Sequence, residues 1–214
     1  MMQPLPKKPA LRIVEDNDDE EPRQISRGEE RTVTNEKLPD IRRVITGDDA
    51  QGRSRITEDA PATAIRTVPQ RPGYRAVNLW RTESAPAWIA APDTVAGHKG
   101  ILPPRGGGTI LHIIDIPPEP NDPEELRRMI HATFGGMYQD AQHDTREGKH
   151  PGMHRTDTID YAIVLDGEVY AIMDEGEALM RAGDVLIQRG TNHAWANRSK
   201  KTARIAFVLI DGQR

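Results

Sequence analysis

The stretch "HRTDTIDYAIVLDGE", residues 154–168, begins with side chains able to do chemistry and ends as core. Read as a strand, its alternation puts His154, Thr156, Thr158 and Asp160 on one face, continued by Ala162 and Val164. An imidazole beside a buried carboxylate is a general acid–base pair, suited to proton transfer, enolisation or decarboxylation. Downstream, in "IQRGTNHAWAN", His193, Trp195 and Asn197 share one parity and are expected on the same wall. The competing reading is an interior cluster in which these groups satisfy only one another or a neighbouring arginine. Arg155 and Asp157 fall on the opposite face and are expected to form a surface pair worth little.

Short strands must position these groups. From His154 onward, turns at "DG" (166–167), "DEGE" (174–177), "AGD" (182–184) and "RGTN" (189–192) break the chain into closely spaced apolar runs. Such spacing, with no helices between, predicts an antiparallel sandwich or barrel. Upstream, "IRRVITGDDAQGRSRITE" and "TAIRTVPQRPGYRAVNLWRTE" each read as two strand-like runs around a turn, and "TILHIIDIPPEP" as a strand ended by prolines. One helix is expected in "NDPEELRRMIHATF", with Asp122 as N-cap, Pro123 at the first position and Glu125 closing a capping box. Leu126, Met129 and Ile130 would form its apolar face. The segment after it, "GGMYQDAQHDTREGKHPGM", has a loop's composition.

Hydrophobic residues make up 36% of the 214 and charged residues 29%, an average that points to a folded part diluted by a polar tail. Residues 1–38, with the acidic run "EDNDDEE", are that expected tail, in which "ALRIV" is the one short apolar patch. Residues 39–107 are expected as strands packing on a barrel formed by 108–214. A net charge of −4 gives no electrostatic case for nucleic acid or an anionic membrane. There is no cysteine, no signal-like apolar run near the start, and nothing approaching the roughly 18 apolar residues of a membrane span. A cytoplasmic protein is the expectation. The runs "YAIVL", "DVLIQ" and "ARIAFVLI" are apolar on both faces, which predicts a covered outer sheet face and a homodimer.

These residues resemble the cupins, jelly rolls that close two antiparallel sheets around a cavity. His154, Thr156, Asp160 and Gly167 fall at the spacing of the family's first motif, with Thr in place of its second His and Asp in place of Glu. Gly183, Asp184, His193 and Asn197 match the second, with Arg189-Gly190 where Pro-x-Gly is usual. The resemblance covers about residues 108 to 212. It implies an all-β double-stranded β-helix with an N-terminal strand extension and a short helical insertion. The stretches "HRTDTIDYAIVLDGE" and "IQRGTNHAW" are similar to cupin-domain proteins of polyketide clusters called oxidoreductases.

The resemblance implies a two-histidine, one-carboxylate set of His154, Asp160 and His193, able to hold Fe, Zn or Mn with positions left open. Thr156 and Thr158 would orient water or substrate, and Trp195, Asn197 and Tyr138 would contact it. His150 is a candidate replacement ligand from the loop, weighed against a solvent-facing position. His98, His112, His131 and His143 are expected to be structural or exposed, and Trp80 and Trp88 to pack over the barrel. Cupins usually join the corresponding strand to the first motif by a short loop, whereas here 119–153 intervene, as a lid or as a segment anchored to the barrel. Phe134, Met137 and Tyr138 are its pocket-facing candidates. The expected function is a small-molecule enzyme acting on an organic acid, polyketide or aromatic metabolite. It would be oxidative if metal-bound, otherwise a lyase or isomerase. The alternative is a non-catalytic ligand-binding barrel. No helix-turn-helix precedes the barrel, which disfavours a transcription regulator.

Overall fold

The computed structural model describes residues 37–214. The expected tail lies outside the described residues except for Lys37 and Leu38. Thirteen strands and one α-helix occur in chain order. They are β1 (Arg42–Asp48), β2 (Ser54–Pro61), β3 (Ile65–Thr67), β4 (Arg75–Thr82), β5 (Thr109–Ile116) and α1 (Pro123–Met137). Then come β6 (Gln142–His143), β7 (His154–Arg155), β8 (Thr158–Asp166), β9 (Glu168–Met173), β10 (Glu177–Arg181), β11 (Val185–Arg189), β12 (His193–Ala196) and β13 (Ala203–Asp211). No helix among the described residues is long and apolar enough to cross a membrane.

Two antiparallel sheets make the barrel, one ordered β10-β9-β12-β7-β6 and the other β11-β8-β13-β5-β4-β3. They share one core, with Val169, Ala171 and Met180 from the first and Ile110, Ile205 and Leu209 from the second. The alternation read along 154–164 holds, since His154, Thr156, Thr158, Asp160, Ala162 and Val164 are all buried. The strand itself does not run through. It breaks at Thr156-Asp157, so that His154 belongs to the five-stranded sheet and Asp160 to the six-stranded one. The chain turns this corner against Gly190, whose φ of +60° favours a residue without Cβ and whose Cβ would stand 3.1 Å from the Thr156 carbonyl.

The N-terminal strands divide between two sheets. β3 and β4 extend the six-stranded sheet beyond β5, and β1 and β2 pair as a hairpin of their own. The segment before β1 is tied to the sheet by arginines. Arg75 and Arg204 share the buried Asp115, and their remaining N–H groups donate to the carbonyls of Leu38 and Pro39. Trp80 is half-buried on β4, but Trp88 is 83% exposed and packs over nothing. Asp157 pairs with Arg214 at 2.6 Å rather than with Arg155, because the corner turns the two neighbours apart.

Helix α1 starts as expected, with Asp122 Oδ1 accepting the Glu124 backbone N–H at 3.0 Å. This single bond is its side-chain cap, and Glu125 does not close a box. The helix runs through Gly135-Gly136 to Met137, because Ile130, Thr133, Phe134 and Met137 give the last turns a buried stripe that outweighs glycine's poor propensity. Leu126 and Met129 are only half-buried.

Candidate active site

One cavity opens between the sheets beneath α1. Its volume is about 70 Å³. At that volume a ring-sized ligand needs its wall side chains to give. His154, Asp160, His193, Trp195 and Tyr138 all line it, so five of the residues singled out by sequence converge on one space.

The two histidines are direct cross-strand partners on β7 and β12, with ring centroids 4.3 Å apart. Nδ1 of His154 stands 2.9 Å from the Gly152 carbonyl, and Nδ1 of His193 stands 3.0 Å from that of Thr191. A carbonyl only accepts, so each Nδ1 carries the proton and each Nε2 keeps a lone pair. Burial pushes His154 down to about 3 and His193 down to about 4, so both imidazoles are neutral at neutral pH.

Asp160 reaches the cavity from the other sheet. Burial raises its carboxyl to about 6, against a smaller lowering by a Thr158 hydrogen bond, and its Oδ1 has no partner. A carboxyl poised there changes protonation close to neutral pH, the range general acid–base work needs. Asp160 thus lines the cavity from β8, and the two imidazoles line it from β7 and β12 of the other sheet.

Among the described residues no three His, Asp or Glu side chains are grouped to hold a metal ion. Of the expected set, His154 and His193 come from one sheet and Asp160 from the other, and all three line the cavity. His150 is no substitute, since its Nδ1 accepts the Gly152 N–H and its Nε2 donates to Glu119 at 2.8 Å.

Other expected contacts are also displaced. Asn197 is fully buried with its amide donating to the Ile116 and Lys201 carbonyls and its Oδ1 accepting from Ser199. It clamps the β12–β13 turn and does not line the cavity. Thr158 Oγ1 donates to Thr156 Oγ1 at 2.7 Å, and neither residue lines the cavity. Met137 is core, while Phe134 and Tyr138 of the insertion do face the cavity.

Several wall residues were given no ligand-facing role by sequence, His112, Phe207 and Arg71 among them. His112 on β5 is buried, with its Nε2 unpartnered and burial holding it at about 3. Its parity with Ile110 and Ile114 was the available signal. Phe207 packs edge-on between His112 and Trp195. Arg71 enters from the β3–β4 turn, for which the sequence offers no periodicity at all. Edge-on, tilted and stacked contacts run unbroken from His143 through Phe134, His154, His193, Trp195 and Phe207 to His112. This aromatic belt fits a flat, unsaturated ligand.

Comparison with known proteins agrees with this architecture. A family profile described as Cupin domain matches residues 143–210. The chain is 30% identical over 190 residues to Phomopsin biosynthesis cluster protein C' of Diaporthe leptostromiformis, covering 84% of each chain. It is 26% identical to the Cupin-domain-containing oxidoreductase fogC of Aspergillus ruber, over 81% of this chain and 74% of that one. A solved Cupin 2 conserved barrel domain protein of Salinispora arenicola is similar at 13% identity and a TM-score of 0.35, covering 68% of this chain and 82% of the other. The two facing antiparallel sheets, the motif order and an extended relative at this identity place the chain in one family: it belongs to the cupins.

Proposed function

We propose that the chain is a small-molecule enzyme that moves a proton on an aromatic or polyketide-type organic acid, with Asp160 as the general acid–base. The observation that carries this reading is that Asp160, His154 and His193 line one aromatic cavity from its two sheets, with the carboxyl held at about 6 and both imidazoles neutral. Asp160 would take a proton from an activated carbon or return it. The neutral imidazoles, with Nε2 unprotonated, would accept a hydrogen bond from a hydroxyl of the ligand. Such a step is an isomerisation or, with loss of carbon dioxide, a decarboxylation. The names of the biosynthesis-cluster relatives support a secondary-metabolite substrate.

The test is solvent exchange. Aromatic and β-keto acids incubated with the protein in D₂O should take up deuterium at carbon, and Asp160→Asn should abolish this while leaving the fold intact. A full panel with no exchange, in a protein that binds the acids, would move the reading to a binding barrel.

A redox reading is favoured by one observation. The paired Nε2 lone pairs of His154 and His193 are the donors a transition metal accepts. Iron or manganese at one per chain, lost in His193→Ala, would support it over metal-free chemistry.

We also infer a homodimer. On the outer face of β8 and the edge strand β11, Ile159, Tyr161, Leu165, Val185 and Ile187 are each between 41% and 55% exposed. The β1–β2 hairpin presents Val44 and Ile56 at 45% and 60%. A second copy supplies an apolar partner for such surfaces.

A further inference from the structure

Arg71 is 6% exposed and lines the cavity, yet among the described residues no carboxylate lies within salt-bridge distance of its guanidinium. The turn that carries it is fixed by two backbone bonds, Arg71 N–H to the Val68 carbonyl and Tyr74 N–H to the Arg71 carbonyl. Its guanidinium carbon lies 4.3 Å from the centre of the Tyr74 ring, a cation–π contact that orients the fork without neutralising it. The carboxylate whose field reaches it, Glu119, is already engaged by His150 Nε2 at 2.8 Å. A buried cation lacking a counter-charge is costly, and it persists where an anion completes it.

A second donor sits on the same wall. The Tyr74 and Tyr138 hydroxyls are 2.9 Å apart and both buried. One O–H donates to the other oxygen, so the accepting phenol keeps its own proton for a ligand. A fork of N–H groups with an adjacent O–H matches a carboxylate. Arg71 also borders an outer cleft formed by Pro72, residues 117–120 and the half-buried Leu126 and Met129 of α1. It therefore stands between that cleft and the space that holds Asp160 and the histidines.

We propose that Arg71, with the Tyr74–Tyr138 hydroxyl pair, is the carboxylate-binding subsite of this cavity. It seats the acid group of the ligand so that the ring or chain extends along Phe134, Trp195 and Phe207 towards Asp160. This deepens the proton-transfer reading and rests on it for the chemical step alone. Binding of the acid group stands apart from any reaction.

The test is calorimetric titration of the full chain at about pH 7.5 with benzoate and its neutral isostere benzamide, and with the smaller pair acetate and acetamide. The wild type should bind at least one acid more tightly than its amide. Arg71→Met should weaken that acid by about tenfold to a hundredfold, the usual loss for a charge-assisted hydrogen bond, and leave the amide unchanged. Arg71→Lys should fall between, since it keeps the charge and loses the fork. Equal binding of acid and amide by the wild type, binding of neither, or undiminished acid binding by a folded Arg71→Met overturns the subsite. Asp160→Asn should keep the preference for the acid. If it does while no substrate exchanges deuterium, the subsite stands and the catalytic reading falls.

Discussion

His154 and His193 face each other across β7 and β12 as near copies, each with Nδ1 held by the carbonyl two residues before it. The repeated i to i−2 bond fixes one tautomer in both rings and aims both Nε2 atoms away from the backbone. Neutrality, not charge, is what the fold imposes on this pair.

That neutrality has a pH signature. His112, His154 and His193 have folded values near 3 to 4, below the ordinary 6.5, so the unfolded chain binds their protons first. Their contribution is intact above 6.5 and is lost as pH falls towards the folded values. Each imidazole can remove up to about 1.4 kcal/mol per pH unit in that window. Asp160 acts in the opposite sense, since its raised value costs stability as pH rises from 3.8 to about 6. Three groups outweigh one, so urea midpoints should drop steadily from about pH 7 to about pH 5. A flat profile would mean that the imidazoles reach water.

Asp160→Asn should separate stability from chemistry. Holding the carboxyl at about 6 instead of 3.8 costs about 3 kcal/mol once it is ionised. The variant should therefore be more stable by about 1–3 kcal/mol at about pH 8, an amide still needing partners, with the gain vanishing near pH 4. Chemical denaturation at both pH values checks this, and a loss of stability at the higher one would contradict an unpartnered carboxylate.

Helix α1 is a wall of the cavity through Phe134, which stacks on His143 at 4.1 Å and meets His154 edge-on at 5.1 Å. Phe134→Ala should cost about 3–5 kcal/mol and loosen ligand selectivity. Asp122→Ala, at the solvent end of the same helix, should cost only about 1 kcal/mol and leave ligand binding unchanged. Melting and titration of both variants give the comparison, and equal effects on binding would deny the helix its wall role.

Charge on the edge strand tests the proposed dimer. Ile187→Lys places an ammonium in the middle of the apolar patch on β11, where Ile187 is paired with Tyr161. Light scattering should move from dimer to monomer with the cavity intact. A wild type that is already monomeric at micromolar concentration removes the inference.

Much of the barrel could be read along the chain because its signals are local. The alternation from His154 to Val164, the turns at Gly167 and Gly190 and the Asp122-Pro123 helix start depend on neighbours a few residues away. Arg71 had no such signal. A turn of Pro, Gln and Arg looks solvated, and its burial comes only from β4 joining β5 and from α1 closing overhead. Asn197 failed in the other direction. Its parity pointed inward, but the turn after β12 claims every one of its hydrogen-bonding groups.

The sequence by itself determined an antiparallel β fold and the inward parity of His154, Asp160 and His193, because side-chain alternation is a property of the backbone. Only the tertiary structure decided which of them meet. Strand pairing set the two imidazoles side by side. The corner at Thr156-Asp157 moved Asp160 to the facing sheet, since distance across a cavity depends on how sheets close and not on spacing along a chain.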